Sequence, residues 1–324
     1  MKRGIIWFRN NLRLADNECI IRALDECDEV LCVYVLDSRT WDAPVECSRM
    51  GSIRAQFILE SLHELDGEIK KLGGSFEFIQ GRAVDEIPRL MESFGAELCY
   101  AQKEDAWEET EQERVLANQI NLILTGGKGI WEEADLPFAL EGLPAVFSSF
   151  RRKVEKNMQI RSLFRSPDRI ACSWKAKTEL PTLGSLGFEE SPKDERAVLD
   201  FKGGAKEAKK WMHQWIWERD CLKDYKETRN GLVGADYSSK LSPWLSTGCI
   251  SVVEVYWEIK KYEKERVAND STYWLFFELL WREFFRFVAR RYGAQIFKRN
   301  GMKETDEKKS LGDPKTFQRW KEGR

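Results

Sequence analysis

Five short apolar runs, residues 4–8, 30–36, 76–79, 98–101 and 121–124, recur through the first part of the chain, and stretches with helical spacing separate them, above all 49–72. Strands alternating with helices predict a parallel sheet covered on both faces, because each crossover lays a helix on the sheet. Residues 1–135 therefore read as a doubly wound α/β domain. From 136 to 202 the pattern breaks. Pro137, Pro144, Pro167, Pro181 and Pro192 punctuate short polar pieces, which predicts a connector that wraps over the surface between domains and forms short helices of its own. After Gly203-Gly204 the apolar period becomes helical, with helices expected over 205–220, 251–264 and 271–292, so residues 203–324 read as an all-α domain as far as the chain goes.

The 324 residues suffice for two domains. Hydrophobic residues at 42% and charged residues at 33% fit a soluble globular protein. No apolar run reaches the roughly 18 residues that span a bilayer. Met1-Lys2-Arg3 passes straight into a strand, so a cytoplasmic protein is expected. The eight cysteines (Cys19, Cys27, Cys32, Cys47, Cys99, Cys172, Cys221 and Cys249) form no CxxC pair, and His63 and His213 are the only histidines. That pattern argues against zinc and iron–sulfur sites and favours reduced thiols acting as small hydrophobes. No GxGxxG is present, and Gly126-Gly127-Lys128-Gly129 lacks Walker spacing, so no nucleotide site follows from glycine patterning. With 52 basic against 54 acidic residues and a net charge of −2, the chain is not a general polycation, and any nucleic-acid site must be local. Lys209, Lys210, Arg229, Lys240, Arg282, Arg286, Arg290 and Arg291 are the basic candidates.

Two segments concentrate candidate chemistry. On a helix over 271–292, Trp274, Glu278, Trp281 and Phe285 fall along one side, while Glu278, Arg282, Arg286 and Arg290 follow at fourth-residue intervals. Such a face suits a flat aromatic ligand, and equally a core helix whose charged tips reach water. Upstream, Tyr225 and Arg229 lead through Gly231 and Gly234 into Ser238-Ser239-Lys240-Leu241-Ser242-Pro243-Trp244. Hydroxyls, amides and a lysine ahead of a helix make either a phosphate cradle or ordinary helix caps. Trp211, Trp215 and Trp217 fall on or near one face of the 205–220 helix, the mark of an aromatic core.

Together these two segments resemble the photolyase and cryptochrome flavoproteins, closest to the cryptochrome DASH branch. Gly4-Ile5-Ile6-Trp7-Phe8-Arg9-Asn10-Asn11-Leu12-Arg13-Leu14 is similar to the family's opening strand and arginine-rich turn, and Trp131-Glu132-Glu133-Ala134-Asp135-Leu136-Pro137-Phe138 to its loop leaving the antenna domain. The resemblance runs from about Lys2 to Arg324. It implies FAD as cofactor, with Tyr225 and Ser238, Ser239, Lys240, Leu241 and Ser242 around its phosphates and Arg282 near the flavin. Family members often carry Thr-Ser-Arg-Leu-Ser where this chain has Ser238-Ser239-Lys240-Leu241-Ser242, which keeps hydroxyls and charge but replaces a forked donor with a point charge.

The resemblance further implies a deoxyribodipyrimidine photo-lyase, in which light drives an electron from reduced FAD to a cyclobutane pyrimidine dimer, preferably in single-stranded DNA. Glu278 and Trp281 would do the catalytic work, and Arg229, Glu278, Trp281 and Phe285 would contact DNA. It also implies a possible 5,10-methenyltetrahydrofolate antenna meeting Glu104, which follows a strand end where ligands gather in doubly wound sheets. As a lone carboxylate, Glu104 equally suits a solvated loop. The alternatives are a blue-light sensor without repair and a truncated chain acting only as a binding module. Relatives continue beyond the segment matching Arg324, so this chain is expected to hold about half of the flavin pocket and to bind FAD weakly by itself.

Overall fold

A computed structural model describes residues 1–37, 39, 49–157, 159–192, 194–302 and 312–324. The five apolar runs are five strands: β1 (Arg3–Phe8), β2 (Glu29–Leu36), β3 (Phe76–Gln80), β4 (Leu98–Gln102) and β5 (Leu122–Thr125). They form one sheet in the order β3-β2-β1-β4-β5, and every pairing is parallel. In β1, alternation sends Ile6 and Phe8 to one face and Ile5 and Trp7 to the other, and all four are buried. Burial on both faces is why β1, β2 and β4 read as nearly unbroken apolar runs.

Helices α1 (Glu18–Glu26) and α2 (Ser52–Lys71) cover the Ile6 face, and α3 (Ala83–Phe94) and α4 (Trp107–Ala117) the other. Gly95, at φ 72°, closes α3 in the left-handed region that side chains resist. The sheet order reverses between β1 and β4. The loops after those strands therefore border the crevice where doubly wound sheets place functional groups.

The connector is more than a surface wrap. Its helix α5 (Phe147–Asn157) buries Phe147, Phe150 and Val154, and Ile170 further on is fully buried. Beyond it, the chain runs along the edge strand β3. There the Glu77 carboxylate, only 3% exposed, accepts hydrogen bonds from Trp174 Nε1 (2.8 Å), the Lys177 amide (3.1 Å), and the amide and hydroxyl of Thr178 (3.1 and 2.7 Å).

The last part is helical: α6 (Ala205–His213), α7 (Tyr225–Thr228), α8 (Ser242–Thr247), α9 (Val252–Glu265), α10 (Asp270–Tyr292) and α11 (Pro314–Lys321). The single helix expected over 205–220 instead gives way after His213 to a π-helical turn, Gln214–Glu218. The wider turn buries Trp215 and sets Trp217 against Tyr262, with ring centroids 5.3 Å apart. Ser251 and Glu254 form a capping box at α9, and the Asn269 side chain accepts from the amides of Ser271 and Thr272 at α10.

One apolar core runs from the Ile6 face of the sheet through α2 into the helices. Phe57 on α2 meets Trp244 on α8 at 6.0 Å between rings. Glu60 accepts from the Gly203 amide at 2.7 Å and Ser61 from the Gly204 amide at 2.9 Å. A fully buried Leu, Ile or Phe contributes roughly 1.5–3 kcal/mol, so this shared packing fixes α10 against the sheet. Among the described residues no helix is long and apolar enough to cross a membrane, and no cluster of His, Cys, Asp and Glu is placed to hold a metal. The described cysteines are free thiols, and Cys47 lies outside the described residues.

Candidate functional site

Helix α10 carries three successive groups of side chains. Near its start, Arg229 Nη1 lies 3.2 Å from Glu278 Oε1. The Arg229 guanidinium and the Lys226 ammonium sit over the Trp274 ring, 5.3 and 5.1 Å from its centre. Tyr225, on α7 beside them, is buried edge-on to Trp215 at 5.5 Å. Burial, then the Glu278 charge, pushes the Tyr225 phenol up to about 12, so it stays a neutral hydroxyl. Two buried donors here, Trp274 Nε1 and Arg229 Nε, have no hydrogen-bond partner. A buried unpaired donor costs roughly 1–3 kcal/mol, and a polar ligand at this point offsets that cost.

One turn on, Trp281 stacks on Phe147 of the connector, with centroids 3.7 Å apart and planes 13° from parallel, and meets Phe285 at 5.6 Å and 22°. Phe285 is 59% exposed. Three flat rings from two elements thus form a ledge open at one end, a geometry that takes another aromatic ring.

The third group faces the sheet. Arg282 Nη1 donates to the Lys128 carbonyl and to Glu283 Oε1, each at 3.1 Å. Arg286 donates to Asp105 (2.8 Å) and Glu283 (2.7 Å), and Arg290 to Asp105 (2.5 Å). Glu283, fully buried, also accepts from the Ile130 amide at 3.0 Å. Burial opposes the charges of Asp105, Arg286 and Arg282, yet neighbours outweigh it for the first two. Arg286, Lys128 and Arg290 hold the Asp105 carboxyl well below the usual range, and Glu283 and Asp105 raise the Arg286 proton affinity. For Arg282 burial wins and lowers it. Gly129 is required because a Cβ there would lie 1.2 Å from Arg286 Nη1.

The structure corrects one expectation here. Arg286 and Arg290, candidates for a local nucleic-acid surface, are buried in ion pairs, and Arg291 donates to the Leu143 carbonyl. Asp105, Glu283, Lys128 and Phe147, which no motif singled out, complete this surface.

The segment 236–242 folds back on α6 and α7. Trp211 Nε1 donates to the Ser239 carbonyl (2.7 Å), Trp215 Nε1 to the Asp236 carbonyl (3.0 Å) and Thr228 Oγ1 to the Tyr237 carbonyl (3.4 Å). Lys240 has φ 50°, a left-handed conformation that costs a non-glycine residue, and its Nζ reaches Ser238 Oγ at 3.3 Å. Leu241 is buried and takes the N-cap place of α8, and no side chain caps that helix. The hydroxyls of Ser238, Ser239 and Ser242 are therefore not helix caps.

Glu104 lies apart, at the end of β4. It is 1% exposed; its Oε1 accepts from Asn10 Nδ2 at 3.0 Å and its Oε2 pairs with Lys128 Nζ. Burial opposes its charge, but Lys128 and Arg9 outweigh that and hold its carboxyl below the usual value. Tyr225, Arg229 and Glu278 are thus brought together, Trp281 and Phe285 adjoin them, Arg282 turns toward the sheet, and Glu104 is enclosed.

Residues 4–169 match the DNA photolyase family model. The cryptochrome DASH of Synechocystis is 40% identical over 305 residues, covering 92% of this chain and 62% of that relative, so the chain spans about three fifths of its length. The cryptochrome DASH of Natronomonas pharaonis is 36% identical over 334 residues, with 100% of this chain and 69% of the relative covered. The crystal structure of the Synechocystis cryptochrome superposes with a TM-score of 0.93 at 38% identity, covering 100% of this chain and 68% of that one.

Proposed function

This chain belongs to the DNA photolyase family, in its cryptochrome DASH branch, and from that membership we propose that it binds FAD and cyclobutane pyrimidine dimers in DNA, single strands preferentially, for light-driven repair. Members of the family bind FAD and DNA. The observation that supports the reading most is the first group on α10: Tyr225, Arg229 and Glu278 meet around two buried donors that lack partners. Tyr225 and the 238–242 segment would hold FAD by its phosphates, and the reduced cofactor would supply the light-driven electron that opens the dimer.

The chain's own residues prepare that chemistry. Tyr225 presents a neutral hydroxyl, and the Ser238, Ser239, Lys240 and Ser242 side chains with nearby amides suit a pyrophosphate. Arg282, which the family resemblance places near the flavin, is held by Glu283 and the Lys128 carbonyl on the side facing the sheet. Glu278, held by Arg229, accepts hydrogen bonds from a pyrimidine edge, and the Trp281 and Phe285 rings stack an extruded base, worth about 1–3 kcal/mol. A dimer is already poorly stacked, which lowers the cost of extruding it.

The test is to titrate the purified chain with FAD by flavin fluorescence and, with reduced FAD in excess, to follow dimer loss in a thymine-dimer oligonucleotide under blue light, single- against double-stranded. Repair that is faster on the single strand and falls in Glu278→Gln supports the reading. No change in flavin fluorescence at any FAD concentration, or bound flavin without light-dependent repair, refutes it. The second cofactor, a 5,10-methenyltetrahydrofolate antenna, would meet Glu104, but that carboxylate is already engaged on both oxygens by Asn10 and Lys128.

A further inference from the structure

Lys128 stands between the two candidate ligand regions. It lies in the glycine-rich loop after β5, which bends at Gly127 (φ 92°) and presses Gly129 onto Arg286. Its ammonium pairs with Glu104 and lies 3.7 Å from Asp105 Oδ2, while its backbone carbonyl accepts from Arg282 at 3.1 Å. The lysine side chain is 18% exposed, whereas Glu104 behind it is 1% exposed. Of the two partners the ammonium is thus the one in contact with solvent.

We propose that Lys128 is a gate on Glu104: a ligand donating N–H groups to that carboxylate binds by displacing the ammonium, which moves onto Asp105. Asp105 gives the displaced charge a second carboxylate at short range, so the gate opens without stranding a buried cation. The ligand chemistry is a flat heterocycle with an amino-pyrimidinone edge, whose two parallel donors match a carboxylate. The inference rests on the reading that a folate antenna meets Glu104.

The probe is 5,10-methenyltetrahydrofolate, titrated against the whole chain and followed by its near-ultraviolet absorbance. Lys128→Met removes the competing charge and should tighten binding about tenfold or more, the ratio set by one charge-assisted hydrogen bond no longer given up. Lys128→Gln, which keeps a neutral donor and guards against misfolding of the Met variant, should fall between. Glu104→Gln should bind more weakly than the wild type. Equal or weaker binding by both Lys128 variants overturns the gate alone and makes Lys128 a ligand contact. No binding by any of the four proteins overturns the antenna reading and the gate with it. A thermal melt of each variant shows that the comparison is between folded chains.

Discussion

Replacing Asp105 with Asn removes one negative charge from a closed group in which four carboxylates, Glu104, Asp105, Glu132 and Glu283, face four cations, Lys128, Arg282, Arg286 and Arg290. Asn keeps the volume, so no cavity forms. It turns a donor toward the guanidinium groups and leaves the group one positive charge in excess. Asp105 and both arginines have side chains at most 7% exposed, so water cannot make up the loss. Breaking a buried pair in this way costs about 3–5 kcal/mol.

With a urea slope of about 3 kcal/mol/M, the unfolding midpoint should fall by roughly 1–1.7 M, read from tryptophan fluorescence. The sign of the pH dependence follows from the depressed Asp105 carboxyl. Its contribution is complete above the unfolded-state value of about 3.9 and is lost as pH falls toward the lower folded value. The gap between wild type and Asp105→Asn should therefore stay constant from neutral pH to about pH 5 and close in stronger acid. A midpoint shift under about 0.3 M at neutral pH, near 1 kcal/mol, would mean that Glu283 and Glu132 carry the arginines unaided and that the reasoning is wrong.

Other consequences can be measured directly. Gly129→Ala puts a methyl group 1.2 Å from Arg286 Nη1, so it should lower the melting temperature as Asp105→Asn does; a wild-type melt would show that the loop yields freely. Trp281→Ala removes the ring stacked on Phe147 and should weaken binding of a dimer-containing oligonucleotide by about 1–3 kcal/mol in a fluorescence anisotropy titration, and unchanged affinity would take Trp281 out of the DNA surface. Burial opposes the Asp220 charge, but Lys223, Tyr262 and Arg266 outweigh it and bring its carboxyl down to about 2. Its contribution is present above the ordinary carboxylate value and lost as pH falls toward 2, so Asp220→Asn should flatten the acid limb of the stability curve below about pH 4; identical acid limbs would refute that linkage.

Strands β1, β2 and β4 were legible because burial on both faces makes them nearly continuous apolar runs, and the helix expected over 251–264 matches α9, Val252–Glu265, within a residue at each end. The turn at Gln214–Glu218 was not legible, since a π turn leaves no period of its own in five residues. On α10 the sequence marked Trp274, Glu278, Trp281 and Phe285 along one side, and the structure puts the already suspected Arg229 against Glu278 and adds Phe147 against Trp281. It misread Arg286 and Arg290 as surface charge because their partner Asp105 is 181 and 185 residues away. The only local sign was Glu283, three residues before Arg286, a spacing too common to stand out. Lys128 carried no signal beyond glycine neighbours. Its significance comes from the approach of β4, β5 and α10, which no local pattern encodes.

The Glu77 clamp bears on where this protein can be cut for study. Among the described residues β3 is an edge strand that pairs only with β2, and the connector from Trp174 to Thr178 lies along it. A fragment ending near residue 135 would contain all five strands and yet strip the donors from the buried Glu77 carboxylate, while exposing a strand edge to other chains. Such a fragment should aggregate, whereas one extended to about residue 182 should stay monomeric in light scattering. What covers the open edge of the sheet is thus encoded about fifty residues downstream of its last strand, by the segment from Trp174 to Thr178.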